Sequence, residues 1–295
     1  MRLIFLGTGT STGVPQLNCD CEVCRSTDPA DSRMRASAIL EVGGKNILID
    51  CGPDFREQML RFHRQGDLDA LLVTHQHYDH VGGADDLRPY CKGKDAFPVY
   101  CREEVAHDLR MRMPYCFVEH PYPGVPRYDI HIISPLKPFR VGEISVLPLP
   151  VNHFRLEIVG FRIGNLAYIT DAKRVPDATV EAIRGVDTLV INALRWEEHM
   201  SHLTIAEALE IIAKVSPRRA YITHLSHHAG LAAEVSPRLP EGGGACARRY
   251  GNHCARLTAG SLPAFPARAI ARGVPSRYFS AIFWIFSALA ASTLS

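Results

Sequence analysis

The sequence has no internal repeat, only two tryptophans in 295 residues, and almost no excess of charge of either sign. Its 33 lysines and arginines stand against 31 aspartates and glutamates, which gives a formal net charge of +2 at pH 7. Hydrophobic residues make up 46% and charged residues 22%, the ordinary composition of a globular protein. These proportions exclude a disordered chain, a collagen-like chain and a coiled coil.

The N-terminal segment also lacks a long apolar run and a cleavage site of the secretory kind. We therefore expect a cytoplasmic protein in a reducing compartment. Cysteine is plentiful, but the number, nine, is odd, and Cys19, Cys21 and Cys24 lie within six positions. Clustered cysteines in a reducing compartment hold metal more often than they form disulfides, so this pattern favours a metal site.

Acidic residues are missing from the last part of the chain. Beyond Glu241 there are six arginines and no aspartate, glutamate or lysine, so residues 1–241 carry (33 − 6) − 31 = −4. The basic charge therefore belongs to the tail and is poor support for nucleic-acid binding. We predict one domain over residues 1–241 and an atypical extension, disordered or misread, over residues 242–295. The apolar stretch 281–291 leaves a membrane anchor as the alternative, although it is short for a membrane span.

Short apolar runs separated by turn residues indicate a strand-rich first half and an alternating second half. The strongest local signals are the Gly43-Gly44 hairpin turn and the capping box Thr204-Ile-Ala-Glu207, which marks a helix start. The proline-rich segment 114–138 predicts a loop or lid. This order of elements predicts an α+β fold in which helices cover a two-sheet core. The predicted strands are 2–6, 38–42, 46–50, 70–74, 97–101, 129–133, 144–149, 158–163, 167–170, 188–192 and 219–223, and the predicted helices are 53–63, 102–112, 176–184 and 205–215.

The residues that carry chemistry follow the predicted strand 70–74. Three histidines and one aspartate fall within six positions in Thr74-His75-Gln-His77-Tyr-Asp79-His80. Alternate residues of an extended segment project to the same side, so His75 and His77 can share one metal. Asp79 and His80 follow about one helical turn later and can reach a second metal. Several imidazole rings crowded together without polar partners would destabilise the folded protein. The pattern therefore predicts a metal site rather than a structural cluster.

This motif, His-x-His-x-Asp-His, resembles that of the metallo-β-lactamase superfamily, hydrolases with one or two metals at the edge of a sandwich. Other segments resemble superfamily positions in the same order: Leu48-Ile-Asp50-Cys-Gly52, Pro150-Val-Asn-His153, Tyr168-Ile-Thr-Asp171 and Tyr221-Ile-Thr-His224. The resemblance implies a four-layer αββα sandwich. The ligands that it implies for a first metal are His75, His77 and His153. Those for a second metal are Asp79, His80 and His224, with Asp171 as a bridge.

A narrower resemblance is to the PhnP-type phosphodiesterases, from residue 1 to about Gly242. It rests on Leu6-Gly-Thr-Gly9, Cys19-Asp-Cys21-Glu-Val-Cys24 and Thr223-His224-Leu-Ser-His227. In that family three N-terminal cysteines and the second histidine hold a separate zinc. The resemblance therefore implies a structural Zn²⁺ on Cys19, Cys21, Cys24 and His227. The family's last strand, which contains Asp-Gly, does not follow Gly242, and a frameshift would explain both its absence and the acid-free tail.

The function that this resemblance implies is hydrolysis of a small phosphodiester, cyclic or open. The cofactors would be two divalent metals, Zn²⁺ or Mn²⁺, and a hydroxide bridging them would attack phosphorus in line with the leaving oxygen. His202 matches the position at which these enzymes carry a general acid that protonates the leaving alkoxide. The catalytic residues implied are His202, Asp79 and Asp171.

Three other functions share some of these features. The tRNA 3′-processing endonucleases have the same glycine-rich start and metal motif, but they need a long RNA-binding arm and a basic face. Thioester and lactam hydrolases share the metals without the cysteines. A non-catalytic metal-binding scaffold would need only four ligands, not seven. The expected partner is a small-molecule phosphodiester and not nucleic acid, with a homodimer left open. The sequence leaves unplaced the candidate phosphate-binding residues Arg155, Lys173 and Arg195.

Overall fold

The computed structural model of the chain describes residues 1–61, 66–93, 95–120, 122–239, 243–245 and 254–256. Within these residues the strands form two seven-stranded sheets. The strands are β1 Arg2–Gly7, β2 Ser37–Val42, β3 Lys45–Ile49, β4 Ala70–Leu72, β5 Phe97–Cys101, β6 Tyr128–Ile132, β7 Phe139–Val141, β8 Ile144–His153, β9 Leu156–Ile163, β10 Leu166–Ile169, β11 Thr188–Asn192, β12 Arg219–Thr223, β13 Gly243–Ala245 and β14 Cys254–Arg256. The α-helices are α1 Glu22–Arg25, α2 Phe55–Arg61, α3 Tyr78–Val81, α4 Glu103–Arg112, α5 Asp177–Ala182, α6 Ile205–Val215 and α7 Ala232–Val235.

The two sheets stack face to face, and each has a helical layer on its outer side. The first sheet has the order β14-β1-β2-β3-β4-β5-β6 and the second β13-β12-β11-β10-β9-β8-β7. One core cluster joins the inner faces of the two sheets, a second joins the first sheet to α2 and α4, and a third joins the second sheet to α6. The predicted four-layer αββα sandwich is therefore confirmed.

Burial on both faces explains why so many strands are apolar throughout. In β1, Leu3 and Phe5 belong to the core between the sheets, whereas Ile4 and Leu6 belong to the cluster that contains Phe55 of α2. Successive side chains of a strand point to opposite faces, so a strand covered on both sides must be apolar at every position. The short continuous apolar runs of the sequence have this origin.

Helix α6 shows how local sequence and packing agree. The Thr204 hydroxyl accepts a hydrogen bond from the Glu207 backbone N–H at 3.1 Å, and the Glu207 carboxylate accepts one from the Thr204 backbone N–H at 2.7 Å. This is the predicted capping box, and it starts the helix at the predicted residue, Ile205. Ile205, Leu209 and Ile212 recur at helical spacing and are buried against the second sheet.

Most predicted elements match the structure to within one or two residues, and the differences have simple causes. The helix predicted from Pro53 begins at Phe55, and residues 62 and 63 lie outside the described part. The strand predicted at 144–149 continues to His153 because a long hairpin with β9 extends it. Helices α1, α3 and α7 have four residues each, too few to produce a periodic pattern.

Two short strands lie beyond Gly242, and each is the edge strand of one sheet. Strand β13 pairs in parallel with β12, and β14 pairs antiparallel to β1. The remainder of the predicted extension, including the stretch 281–291, lies outside the described residues. Among the residues that are described, no helix is long and apolar enough to cross a membrane.

Candidate metal centre at the sheet edge

Four segments reach the same edge of the sandwich, each at the end of a strand or just after it. Strands β3 and β4 are parallel, as are β10, β11 and β12, and β8 runs in the direction of β10 because both are antiparallel to β9. Their carboxyl ends therefore meet, as in other sheets that bind ligands at this edge. The segments following β4, β8, β10 and β12 bring together seven side chains, the edge site: His75, His77, Asp79, His80, His153, Asp171 and His224.

Three histidines of the edge site form one group whose potential ligand atoms lie within 4.8 Å of one another. His75 Nε2 lies 3.0 Å from His77 Nδ1, and the ring centroids of His77 and His153 are 5.0 Å apart. His75 and His153 are buried, whereas the side chain of His77 is exposed. The group therefore opens to solvent on the side of His77.

The other four residues form a fully buried second group. His80 Nε2 lies 3.1 Å from an Asp79 oxygen and 3.3 Å from Asp171 Oδ1, and His224 Nε2 lies 3.1 Å from Asp171 Oδ2. Asp171 Oδ2 is also 3.9 Å from His75 Nε2 of the first group. Asp171 thus lies between the two groups, where the resemblance to the superfamily places a bridging ligand.

Hydrogen bonds on the far side of the rings fix the orientation of these histidines. His80 Nδ1 is 2.7 Å from Asp50 Oδ2, and the Thr74 hydroxyl lies between Asp50 and His75 Nδ1, at 2.9 Å and 3.0 Å. His153 Nδ1 donates to the Ser201 carbonyl at 2.8 Å. In each case the other ring nitrogen faces the edge site. Such partners set the tautomer and orientation of metal-binding histidines.

Three residues at this edge have a left-handed backbone although none is glycine. Asp50, Asp171 and His224 follow β3, β10 and β12, and each has φ = 59°. This conformation is energetically unfavourable for residues other than glycine, and such backbone strain is concentrated at functional sites. The same backbone conformation thus recurs at the ends of three strands that meet at this edge.

Close packing beneath α3 holds Asp79 and His80 against the segment that follows β3. The Cys51 backbone N–H donates to the His80 carbonyl at 2.8 Å. A Cβ atom on Gly52 would overlap the carbonyl oxygen of Asp79, and one on Gly83 would overlap the carbonyl of Gly52. Glycine is therefore required at both positions by the close approach of two backbones.

Burial and neighbouring charged groups both shift the pKa values of these residues. Burial alone would raise the pKa of Asp171, but His224 and His80 outweigh it and hold the pKa well below its usual range. Burial, followed by the nearby His80, lowers the pKa of His75 far below that of an ordinary histidine. An ionised carboxylate and a neutral imidazole are the forms that bind metal.

Several buried ring nitrogens of the cluster have no hydrogen-bond partner within the described part of the chain. They are His80 Nε2, both nitrogens of His224, and His202 Nδ1. An unpaired buried polar atom costs about 1–3 kcal/mol. Nitrogen and carboxylate oxygen atoms that converge without hydrogen-bond geometry form the donor set that a divalent cation satisfies. The residues present therefore fit bound divalent metal.

His202 lies beside the edge site, between its two groups. Its ring is 4.7 Å from that of His153 and 4.8 Å from that of His224, and Nδ1 is 3.9 Å from Asp171 Oδ2. Burial and then His224 lower the pKa of His202 to about 3. His153, Asp171 and His202 also form a group that could hold a metal ion, so His202 is close enough to be a ligand. His199 stacks on its outer side.

A second cluster, the cysteine site, consists of Cys19, Cys21, Cys24 and His227, whose potential ligand atoms also lie within 4.8 Å of one another. His227 Nδ1 is 3.5 Å from Cys19 Sγ and 3.2 Å from Cys21 Sγ. The hydrogen bond to His227, followed by one to the Cys24 backbone, lowers the pKa of the Cys21 thiol to about 6. Burial raises that of Cys24 to about 11. Three thiols and one imidazole form a closed tetrahedral set of the kind that holds structural zinc.

The two clusters are joined through the backbone. The Leu225 N–H donates to the Thr8 carbonyl at 2.9 Å, and the Thr10 N–H donates to the Leu225 carbonyl at 3.0 Å. His224 of the edge site and His227 of the cysteine site lie on either side of this pairing. The loop after β1, which leads to the cysteines, therefore supports the segment that carries His224.

The candidate phosphate-binding residues have structural contacts of their own. Lys173 Nζ pairs with Glu207 at 2.9 Å, Arg195 Nη2 donates to the Glu198 carbonyl at 3.2 Å, and the Arg155 guanidinium lies over the ring of Phe154. Sequence reasoning did not identify the roles of Thr74 and Ser201. A hydroxyl or a carbonyl that orients a ring leaves no pattern in one sequence.

Comparison with known proteins is consistent with this geometry. Residues 45–225, more than half of the chain, match the family described as "Beta-lactamase superfamily domain". The crystal structure of a diphosphatase of the PhnP family is similar at TM-score 0.78 and 36% identity, covering 86% of this chain and 97% of that one. Zn²⁺-bound PqqB from Methylobacterium extorquens has TM-score 0.69 at 20% identity, covering 87% and 100% of the two chains, which shows the shared fold.

One curated relative is closer in sequence but much longer. A protein of Porphyromonas gingivalis named octanoyltransferase is 45% identical over 242 residues, which are 81% of this chain and 49% of that protein. This chain thus spans about half the length of that relative. The activity in its name describes a protein of about twice the matched length.

Proposed function

The chain belongs to the metallo-β-lactamase superfamily of hydrolases, and from this premise we propose that it is a metal-dependent phosphodiesterase acting on a small phosphodiester. The observation that carries the proposal is the coexistence of the edge site and the cysteine site in a chain 36% identical to a PhnP-family diphosphatase. A non-catalytic scaffold would need one closed set of four ligands. Seven converging donors, one of them exposed to solvent, favour an open catalytic site.

The proposed ligands follow the two groups of the edge site. His75, His77 and His153 would hold one divalent metal, and Asp79, His80 and His224 the other, with Asp171 shared between them. Two such cations would lower the pKa of a water molecule at the site and would supply positive charge beside the phosphorus. Zn²⁺ and Mn²⁺ both suit this mixture of imidazole and carboxylate.

The protein's own contribution is orientation and proton transfer. Asp50, Thr74 and the Ser201 carbonyl hold three imidazole rings in place, so the ligands are ordered before substrate arrives. We assign His202 as the acid that protonates the leaving oxygen. Its lowered pKa favours the neutral ring in the free site, so the proton that His202 gives to the leaving oxygen would first be taken up from the attacking water, and the negative charge of the bound phosphodiester would favour the protonated ring.

The test is a substrate panel run on protein whose metal content has been measured. Bis(p-nitrophenyl) phosphate and a cyclic ribose phosphate represent open and cyclic phosphodiesters. The proposal expects metal-dependent cleavage of at least one of them. Metal-loaded protein that cleaves no phosphodiester would refute it.

A second candidate is hydrolysis of an acyl ester or thioester, favoured by the relative named octanoyltransferase. p-Nitrophenyl octanoate should be included in the panel for this reason. Cleavage of that ester with no phosphodiester cleavage would establish the second candidate in place of the first. The expected small-molecule partner, the cytoplasmic location and the homodimer stay predictions.

A further inference from the structure

Large hydrophobic side chains that are exposed to solvent lie next in sequence to residues in and beside the edge site. Tyr78, Phe154 and Met200 are 58%, 51% and 69% exposed. Tyr78 follows the exposed ligand candidate His77, and Phe154 follows His153, whose ring lies 5.0 Å from that of His77. Met200 precedes Ser201, which orients His153. Tyr78 and Phe154 thus adjoin residues of the edge site directly, and Met200 adjoins the residue that orients His153.

The backbone of Phe154 is unusual for such a residue. His153 pairs with Leu156, so Phe154 and Arg155 form a two-residue hairpin turn between β8 and β9. Phe154 has φ = 53°, a conformation that such turns normally give to glycine or asparagine. The side chain is half exposed, so burial does not compensate for the strained position. Neither turn chemistry nor core packing accounts for phenylalanine here.

Leu136 shows that a left-handed backbone together with an exposed hydrophobic side chain does not by itself indicate a binding site. It too has a left-handed backbone, φ = 58°, and is 42% exposed. Its N–H donates to the carbonyl of Pro148, which lies five residues before His153 along β8. At about 3.3 Å per residue that is roughly 16 Å from the edge site. Phe154 differs because it directly follows His153 of the edge site and has a cationic neighbour, Arg155.

The charge around Phe154 indicates what kind of ligand would bind. The Arg155 guanidinium lies 5.2 Å from the centroid of the Phe154 ring, so a cation stands next to an aromatic face. This pair matches a ligand that has a flat ring and negative charge. An octanoyl chain would gain little from a guanidinium, and a ribose phosphate without a base would gain little from exposed rings. A nucleotide uses both.

We propose that Phe154, with Tyr78 and Arg155, forms a subsite that stacks the base of a nucleotide whose phosphorus lies at the edge site. The inference rests on the proposed phosphodiesterase function and narrows its substrate to nucleoside-containing phosphodiesters. Base stacking on an aromatic side chain is worth about 1–3 kcal/mol by alanine substitution, which corresponds to about 5–150-fold in affinity or kcat/KM.

The variant to test is Phe154→Asn, because asparagine tolerates the left-handed turn and has no ring to stack. The matched control is Leu136→Asn, which makes the same substitution at an exposed left-handed position far from the site. Phe154→Trp should retain the stacking. The ratio of kcat/KM for thymidine 5′-(p-nitrophenyl phosphate) to that for methyl p-nitrophenyl phosphate should fall about 5–150-fold in Phe154→Asn. It should stay unchanged in Leu136→Asn.

Calorimetry on metal-loaded protein gives a readout that does not need turnover. Thymidine 5′-phosphate should bind the wild type more tightly than ribose 5-phosphate, and Phe154→Asn should remove that difference. Equal affinity for the two phosphates in the wild type would overturn the subsite, as would an unchanged kcat/KM ratio in Phe154→Asn. An equal loss with octyl p-nitrophenyl phosphate would mean a general apolar surface and would also overturn it. Failure of the proposed function would instead appear as no turnover of any phosphodiester by the wild type.

Discussion

The edge site and the cysteine site are built in opposite ways. The seven residues of the edge site come from four segments spread between residues 75 and 224, and all but His77 are buried. Three of the four cysteine-site residues come from one loop, and all three cysteines are partly exposed. The sheets place the first set, whereas the cysteine site ties two loops together. The fold therefore assembles the edge site, and the cysteine site lies on a loop that pairs with the segment carrying His224.

Because the two sites are built differently, we expect substitutions in one to affect turnover and substitutions in the other to affect stability. Two donor groups that share Asp171 and open at His77 leave room for substrate, whereas four donors around one point leave none. Changes at the edge site should thus remove turnover with little effect on folding. Changes at the cysteine site should lower stability and leave turnover.

The largest effect is expected from removing a ligand of the edge site. His77→Ala and Asp171→Ala should each reduce kcat for bis(p-nitrophenyl) phosphate by about 100-fold or more, since loss of one ligand disrupts activation of water. His120→Ala, at an exposed histidine outside both sites, is the control. Circular dichroism should show folded protein throughout. A variant that keeps more than about a tenth of the activity would contradict the two-metal assignment.

A large but selective effect is expected at His202. His202→Ala should slow hydrolysis of substrates with poor alkoxide leaving groups by about 10²–10⁴-fold, the usual contribution of a general acid. The loss of rate should be smaller for substrates whose leaving group is p-nitrophenolate, because this leaving group needs little protonation. Equal losses on both substrates would exclude the acid role and favour His202 as a metal ligand.

A smaller effect on metal affinity is expected from changing Asp50, which hydrogen-bonds to a candidate ligand, His80. Asp50→Asn keeps the shape of the side chain but removes the charge that orients His80 and Thr74. Replacing such a partner typically weakens metal affinity about 10–100-fold. Chelator competition should show this loss at one of the two catalytic metals. Unchanged affinity for both metals would show that Asp50 has only a packing role.

Cys21→Ser should act on stability with little effect on turnover. Loss of the structural zinc should lower the melting temperature by about 4–12 °C, corresponding to about 2–3 kcal/mol at 2–4 °C per kcal/mol. Cys91→Ser, at a cysteine outside the cluster, is the control. Elemental analysis should find one zinc fewer in Cys21→Ser. Wild-type protein, freshly reduced and with both catalytic metals present, that contains no third metal would refute the cysteine site.

The smallest effect on chemistry is expected from the tail. A stop codon after Gly242 removes no proposed ligand, so turnover per metal-loaded chain should stay within about twofold. Such a small effect is normal for changes away from a site. The truncation also removes β13 and β14, so the melting temperature should fall. Loss of metal binding in a protein that is otherwise folded would show that the tail supports the site.

Strong local patterns predicted the two-sheet core and the His/Asp cluster after β4, whereas the resemblance to the superfamily implied the sandwich and the two ligand groups. Burial on both faces of the strands produced continuous apolar runs, and the cluster after β4 contained four candidate ligands, three histidines and one aspartate, within six residues. His153, Asp171 and His224 were found only because each ends a strand in the order of a known superfamily. Single polar residues at strand ends carry no such information alone.

Other features depend on three-dimensional packing and could not be predicted in this way. The left-handed backbone at Asp50, Asp171 and His224 is imposed by the surrounding structure, since neither aspartate nor histidine demands it. The carbonyl of Ser201 orients His153 from 48 residues away. The sequence alone did not show that Phe154 occupies a left-handed turn position and is half exposed.

The central claim is that the edge site binds two divalent metals and uses them to cleave a phosphodiester. The most direct test is to strip the protein with a chelator and then add Zn²⁺ or Mn²⁺ in steps while following cleavage of bis(p-nitrophenyl) phosphate. The structural account predicts no cleavage by stripped protein, and recovery that is complete once two metals per chain occupy the edge site. Undiminished cleavage by stripped protein, or no cleavage by protein with both metals bound, would contradict it.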